Sequence, residues 1–339
     1  GTRSLMPYST STYRAGLLLA LALVLAPLAG SCKPAHTYDS PECREGSLDR
    51  NYCDRDDDLV ADTPDDESRL LDPDTLIFAF TPVEDPLQYR DVWREFLTYI
   101  EEKTGKEVDF YPIQSTATQI EAMRAGRLHI AGFNTGSVPL AVNCAGFRPL
   151  AMMADKQGTF GYEMEIIVRA DSSYESVEDL KGSKFAFTSP TSNSGYKAPT
   201  TILNREFGIT PQQDFKTSFS GNHENSVINV SLGDYDGAAV ANIVTDRVYA
   251  SEDSGVDRDD IRVLYRSETF PTTGFGVAHN LQPELAATIK EAFLSFDWEG
   301  TDMTREFEDS DQFIPIDYRQ HWKVIRQIDD QFGEDYACR

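Results

Sequence analysis

Basic residues are scarce in this chain of 339 residues, where 31 Lys and Arg face 56 Asp and Glu for a formal net charge of −25. Nucleic acid is excluded as a partner, because nothing offers the basic face that a phosphate backbone requires. A small anion held in a closed site by directed donors is not excluded. Histidine is sparse too, with five residues, and no Cys/His spacing or His/Asp cluster has the form of a metal centre. There is no G-x-S-x-G elbow and no Gly-x-x-x-x-Gly-Lys loop, which removes the common serine hydrolases and P-loop enzymes. A Ser/His/Asp set could be drawn from Ser192 or Ser194, His223 and Asp236, leaving a metal-independent phosphohydrolase as a minor alternative. Strict internal repeats are also missing.

A globular core is nonetheless well supplied, with 40% hydrophobic and 11% aromatic residues, and the length suits two domains. Arg14 precedes the run "AGLLLALALVLAPLAGSC", too short to span a membrane comfortably and broken by Pro27. It reads as a signal peptide over residues 1–32. Its "LAGSC" ending resembles a bacterial lipoprotein signal, in which Cys32 would become the lipid-bearing N-terminus. The large aliphatic residue usual three places before the cysteine is replaced by Ala29, with Leu28 one earlier. The expectation is export to the periplasm or extracytoplasmic face, with a membrane anchor through Cys32 and an ordinary cleaved signal as the alternative. Four cysteines then remain in an oxidising compartment, an even number that suggests two disulfides. A local Cys43–Cys53 pair would leave Cys144 for Cys338, though spacing alone does not settle the connectivity.

Residues 33–74 carry fourteen Asp and Glu against five Lys and Arg and read as an acidic tether. Within them "DRDDDLVAD" sets Asp54, Asp56, Asp58 and Asp62 at near-alternating positions, spacing that could gather oxygen ligands around Ca²⁺. The glycine usual after the third aspartate is replaced by Leu59, and no Glu closes the loop. A solvated acidic linker would show the same composition. No other cofactor is expected.

From Thr75 onward, strand-like runs alternate with helical spacings closed by glycine, the pattern of an α/β fold with parallel sheets. "TLIFAF", "KEVDFYPI", "RLHIAGFN", "RPLAMMA" and "EMEIIVRA" read as strands. "DVWREFLTYIEEKTG" and "TATQIEAMRAG" read as helices ending at Gly105 and Gly126. Beyond "KFAFT" the alternation repeats, down to "YRQHWKVIRQIDDQFG" as one amphipathic helix.

"SPTSNSGYKAP" follows "KFAFT" at a strand-to-helix junction. In open α/β sheets such junctions face the ligand, and a helix start presents unpaired N–H groups. Ser192, Asn193 and Ser194 would add hydroxyl and amide donors, and Gly195 would let the backbone come close. A plain N-cap would use the same residues.

The motif resembles the Asp-Pro-x-Ser-Thr-Ser-Gly segment of the phosphate/phosphite/phosphonate-binding proteins of ABC transporters, the PhnD-like family. Ser189 stands here for the Asp and Asn193 for the Thr. "GNHENS" is similar to the family's Gly-x-His-Glu/Asp segment, and "GYEMEIIVRADSSYESVEDLKG" resembles the strand whose tyrosine, here Tyr162, meets the oxyanion. "GDYDGAA" also fits, and the order holds from Thr75 to Phe332.

The resemblance implies a two-lobed periplasmic-binding-protein fold of type II-like form, each lobe a mostly parallel sheet flanked by helices. Lobe 1 would span residues 75–163 and 271–339, and lobe 2 residues 164–270. It implies a monomeric, non-enzymatic solute-binding protein that closes over a small phosphorus oxyanion and docks on ABC permease subunits. A ligand-sensing or scaffold protein of the same fold is the alternative. Ser192, Asn193, Ser194, His223 and Tyr162 would bind the ligand. Lobe 1 would contribute Thr116, where phosphonate binders have a tyrosine, and Thr135, although caps and turns use such residues as well. The places of two acidic residues that hold a substrate ammonium in aminoalkylphosphonate binders fall at Ile243 and near Thr273. A buried ammonium would be left unpaired there, so the expected ligand is phosphate, phosphite or a small phosphonate without an amine.

Overall fold

The computed structural model describes Cys43 and residues 48–81, 89–113, 115–307, 309–336 and Cys338. The signal-peptide and lipidation readings, Cys32 included, lie outside these residues. No described helix is long and apolar enough to cross a membrane.

Two sheets form the body. The first runs β11-β4-β10-β3-β1-β2, with β1 (Thr75–Phe80), β2 (Glu107–Phe110), β3 (Ile130–Phe133), β4 (Phe147–Ala154), β10 (Gly274–Ala278) and β11 (Gln312–Pro315). The second runs β7-β6-β8-β5-β9, with β5 (Met164–Arg169), β6 (Lys184–Phe187), β7 (Lys216–Phe219), β8 (Gly237–Ala241) and β9 (Ile261–Arg266). Apolar strands such as "IAGF" and "GAAVA" are buried along their whole length, as strands covered on both faces must be. The fold is therefore the expected two-lobed α/β architecture.

The sheets are mixed, which corrects the expectation of mostly parallel ones. β1 pairs parallel with β2 and β3, and β6 with β7 and β8, but β10, β11 and β5 pair antiparallel with their neighbours. Strands linked by a crossover helix return parallel. β5 and β10 instead enter from the opposite lobe, so no such crossover dictates their direction. The two crossing segments are joined by reciprocal backbone bonds, Tyr162 N–H to Phe270 O at 3.0 Å and Phe270 N–H to Tyr162 O at 2.8 Å.

Lobe 1 is packed by α1 (Tyr89–Thr104) and α8 (Pro283–Ser295), whose apolar stripes put Trp93, Phe96 and Phe293 against Phe78, Phe275 and Phe313. β11 was not expected from its short, mixed sequence. The helix expected over "YRQHWKVIRQIDDQFG" is divided into α10 (Tyr318–His321) and α11 (Lys323–Phe332), with Trp322 buried between them.

Two further expectations are corrected. Residues 48–74 are no free tether, for Tyr52, Cys53, Val60 and Ala61 are buried. Backbone bonds hold this strap, Asp49 N–H to Asn143 O at 3.0 Å and Leu71 N–H to Asn280 O at 2.7 Å. Its few apolar side chains find cover on lobe 1, which an acidic residue count does not reveal. The C-terminus also does not belong to lobe 1 alone. α11 packs on α4 (Ala198–Phe207) of lobe 2, where Phe332 meets Tyr196 at 5.3 Å between rings. The Cys144–Cys338 disulfide ties this end back to lobe 1, and Cys43 pairs with Cys53.

Asp54, Asp56 and Asp58 cluster with ligand oxygens within 4.8 Å of one another. Asp62 does not join them, because its carboxylate accepts the Arg55 N–H at 3.0 Å and lies 3.7 Å from the Arg55 guanidinium. Leu59 takes a left-handed φ of 68° where calcium loops carry glycine. The Asp54 oxygens accept the N–H groups of Asp58 and Leu59, and burial pushes its carboxyl up to about 6.

Candidate functional site

A cavity of about 470 Å³ opens between the lobes. The residues following β6 start it: "SPTSNSGYK" turns into a π-helical stretch, Asn193–Lys197, that continues as α4. Such wide turns recur at functional sites because they redirect N–H groups from the regular ladder. Ser192 caps the turn, accepting the Gly195 N–H on Oγ at 3.0 Å. Thr188, the last residue of the strand run, explains the glycine. Its N–H donates to Gly195 O at 3.0 Å, and a Cβ on Gly195 would fall 1.8 Å from Thr188 Oγ1. Strand end and cradle turn are therefore in direct contact.

His223 is the first residue of α6 (His223–Leu232) and faces the same space. The Ala241 N–H donates to its Nδ1 at 3.1 Å, so a neutral ring carries its proton on Nε2, which lies 3.5 Å from Ser192 Oγ. Burial first, and then the charge of Arg247, lower its pKa to about 4. His223 is thus a neutral donor at physiological pH. Tyr162, on the crossing segment, accepts the Asn193 amide on its phenol oxygen at 3.3 Å. Burial pushes the phenol up, while hydrogen bonds with Thr135, Asn193 and Ser194 oppose the shift. The result is a ring of hydroxyl, amide, imidazole and backbone N–H groups without a cation at its centre, suited to an oxyanion held by dipoles.

A depressed histidine has a stability signature. Its contribution is full above the unfolded pKa near 6.5, is lost as pH falls from there to about 4, and changes no further below. The interval is worth about 3 kcal/mol. Denaturant unfolding at pH 7.5 and 4.5 is expected to show His223→Gln gaining on the wild type by roughly that amount at the lower pH. Equal differences at both pH values would refute a neutral buried ring.

Six of the seven ligand residues expected from sequence line this one cavity: Tyr162, Ser192, Asn193, Ser194, His223 and Thr135. Thr116 does not. It opens α2 (Thr116–Arg124), whose start is capped within lobe 1 by Ser115 accepting the Thr118 N–H. Thr135 reaches the cavity, but its hydroxyl donates to Pro271 O at 2.8 Å, tying the loop after β3 to the crossing segment. The next residue, Gly136, meets the cradle itself: a Cβ there would lie 2.6 Å from Thr191 O.

Sequence reasoning missed Thr188, Thr272, Arg247 and the aromatic wall of Phe80, Tyr89, Phe160 and Phe307. Thr188 was within reach as the C-terminal end of an apolar strand, while the aromatics are inseparable in sequence from core residues. Ile243 and Thr273 do line the cavity, as expected. Two carboxylates also line it: Asp155, whose Oδ1 accepts the N–H groups of Gln157 and Thr159, and the exposed Asp309. The hydrolytic set is not assembled, since His223 Nδ1 takes the Ala241 N–H while Asp236 accepts the Lys184 N–H at 2.7 Å.

Against known proteins, residues 78–322 match the family model described as ABC transporter, phosphonate, periplasmic substrate-binding protein. The chain belongs to this family. The phosphate-import protein PhnD of Mycolicibacterium smegmatis is 26% identical over 282 residues, covering 78% of this chain and 85% of the relative. The phosphonates-binding periplasmic protein of Escherichia coli is 25% identical over 226 residues, covering 65% of this chain and 66% of the relative. The fold is shared with PhnD1 of Prochlorococcus marinus, solved in complex with methylphosphonate: TM-score 0.66 at 17% identity, covering 78% of this chain and all (100%) of that one. These members of the phosphonate-binding family are transport proteins and not enzymes, and the family places the chain outside the cytoplasm.

Proposed function

We propose that this protein captures phosphate, phosphite or a small phosphonate without an amine between its lobes and delivers it to an ABC permease. The observation that carries this reading is a set of buried polar atoms without a partner. Thr188 Oγ1, Asn193 Oδ1 and Thr272 Oγ1 are all buried, unbonded among the described residues, and placed on the cavity wall. An unpartnered buried polar atom costs about 1–3 kcal/mol, so three in one cavity indicate a polar ligand that completes them. Asn193 and the threonines can also accept, which suits a phosphoryl group carrying an exchangeable proton.

Capture is a hinge motion about the paired segments at Tyr162 and Phe270, and Tyr162 reports the ligand to the hinge through its contact with Asn193. Closure excludes water and strengthens every bond to the anion. Anchoring of a monomer to the membrane through Cys32 belongs to the same proposal. Calorimetry at pH 7.5 is the test: phosphate, phosphite and methylphosphonate should each bind at least about tenfold more tightly than 2-aminoethylphosphonate, whose ammonium would meet Ile243 while the cavity's carboxylates are the turn-bound Asp155 and the exposed Asp309. Tight binding of the aminophosphonate with none of phosphate or phosphite would overturn the reading. A protein that shifts its unfolding temperature with no phosphorus oxyanion would instead be a scaffold.

A further inference from the structure

Resting on that reading, we propose that the cavity takes a phosphoryl ligand whose short organic substituent ends in a second anion, a carboxylate, which Arg247 binds. Arg247 stands on α7 (Asn242–Ala250) and is the one Lys or Arg among the described residues lining the cavity. In a chain with 56 acidic residues its guanidinium has no hydrogen bond or ion pair among the described residues. Its neighbours are committed elsewhere. Asp246, the preceding residue, pairs with Arg258 at 2.6 Å, and Glu165 pairs with Arg266 at 2.6 Å. An unpaired cation in an acidic protein, half-buried on a ligand cavity, is placed for an anion that arrives from outside.

Position on the helix sets the backbone of this residue apart from the phosphoryl cradle. Ile243, Val244 and Arg247 form one stripe of α7 facing the cavity. His223 is bonded at the start of that helix, at Ala241, and the backbone of Arg247 lies six residues on, roughly 9 Å along the axis, while its charge still reaches the His223 ring. Ile243 and Val244, between Ala241 and Arg247 on the chain, are apolar, and Met153, Phe160 and Phe307 add apolar surface to the same lining. A phosphoryl head, a short methylene linker and a terminal carboxylate match that order of polar, apolar and cationic surface. The cavity of about 470 Å³ lies in the range of organic ligands and far exceeds a bare oxyanion. A carboxylate and a guanidinium can pair through two parallel bonds, which gives direction as well as charge. Asp155 and Asp309, on the opposite wall, are the competing partners, and they could latch to Arg247 on closure.

Calorimetry on the whole protein with phosphate, propylphosphonate and 3-phosphonopropionate, in wild type and Arg247→Met, decides the matter. The wild type should bind 3-phosphonopropionate at least about tenfold more tightly than propylphosphonate. Arg247→Met should erase that preference, leaving 3-phosphonopropionate and propylphosphonate within about threefold of each other. Equal loss for all three ligands would assign Arg247 to the phosphoryl group or to a latch and overturn the inference. So would phosphate binding with no advantage from the carboxylate, in which case the capture reading stands alone. If no phosphorus compound binds the wild type, both fall together.

Discussion

Replacing Ser192 and Ser194 together by alanine is expected to weaken phosphate binding about 10²- to 10⁴-fold, with cooperative unfolding retained. In the proposed binding mode each hydroxyl would donate to a charged acceptor, a bond worth about 1.5–3 kcal/mol, and two such losses give that range. No lysine or arginine lies at the centre of the cradle to compensate. Ser192 acts twice, since its Oγ caps the turn at Gly195 N–H and lies 3.5 Å from His223 Nε2. Losing the cap costs about 1 kcal/mol of folding stability, a small part of the total. The single variant Ser194→Ala, which carries no cap, separates the two effects. If the double variant bound phosphate within threefold of the wild type by calorimetry, the cradle would not be the binding site.

Lys197→Met is expected to destabilise the fold by about 3–5 kcal/mol, while Lys197→Met with Asp329→Leu should recover most of the loss. Lys197 Nζ donates to Asp329 Oδ1 at 2.8 Å and to Gly136 O at 3.0 Å, and both side chains are almost fully buried. The pair joins three parts of the chain: the π-helical turn, the loop after β3 and the C-terminal α11. Tyr336 donates its phenol to Asp329 Oδ2 at 2.7 Å, closing the network. Removing the ammonium leaves a buried carboxylate, whose desolvation already pushes its pKa up against the opposing pull of Lys197. Because the folded group would then bind a proton more readily than the unfolded one, the deficit should narrow as pH falls toward 4. Denaturant midpoints of the two variants at pH 7.5 and 5 measure this. A double variant as unstable as the single one would show that packing, not the stranded charge, is responsible.

Local chemistry explains how much of this molecule was legible before any coordinates. Glycine-terminated helices at Gly105 and Gly126 were readable, because a left-handed C-cap favours that residue. Ser192 and Asn193 were readable as candidate donors from their place at a polar strand-to-helix junction, which a plain N-cap would fill with the same residues. The Cys144–Cys338 link was nameable as one of the pairings four cysteines allow, but its geometry was not. β11 and α7 went unread, since "QFIP" and "NIVTDRVYA" show neither clean alternation nor a clear stripe. Their placement comes from partners far away in sequence. The same holds for residues 48–74, where the buried Tyr52, Cys53, Val60 and Ala61 outweigh an acidic composition.

Taken by itself, the sequence determined the α/β class and the polar junction at Ser192, Asn193 and Ser194, because periodicity and cap chemistry act over a few neighbouring residues, while the two-lobed binding-protein plan and the parts of His223 and Tyr162 came from the family resemblance. Tertiary structure alone decided that Thr116 is excluded while Thr188 and Thr272 are admitted, that Asp62 turns to Arg55, and that Arg247 faces the ligand space unpaired. Those outcomes depend on which segments the two chain crossings bring face to face. Only packing fixes that, since a side chain's partner across a cleft leaves no mark in its own neighbourhood.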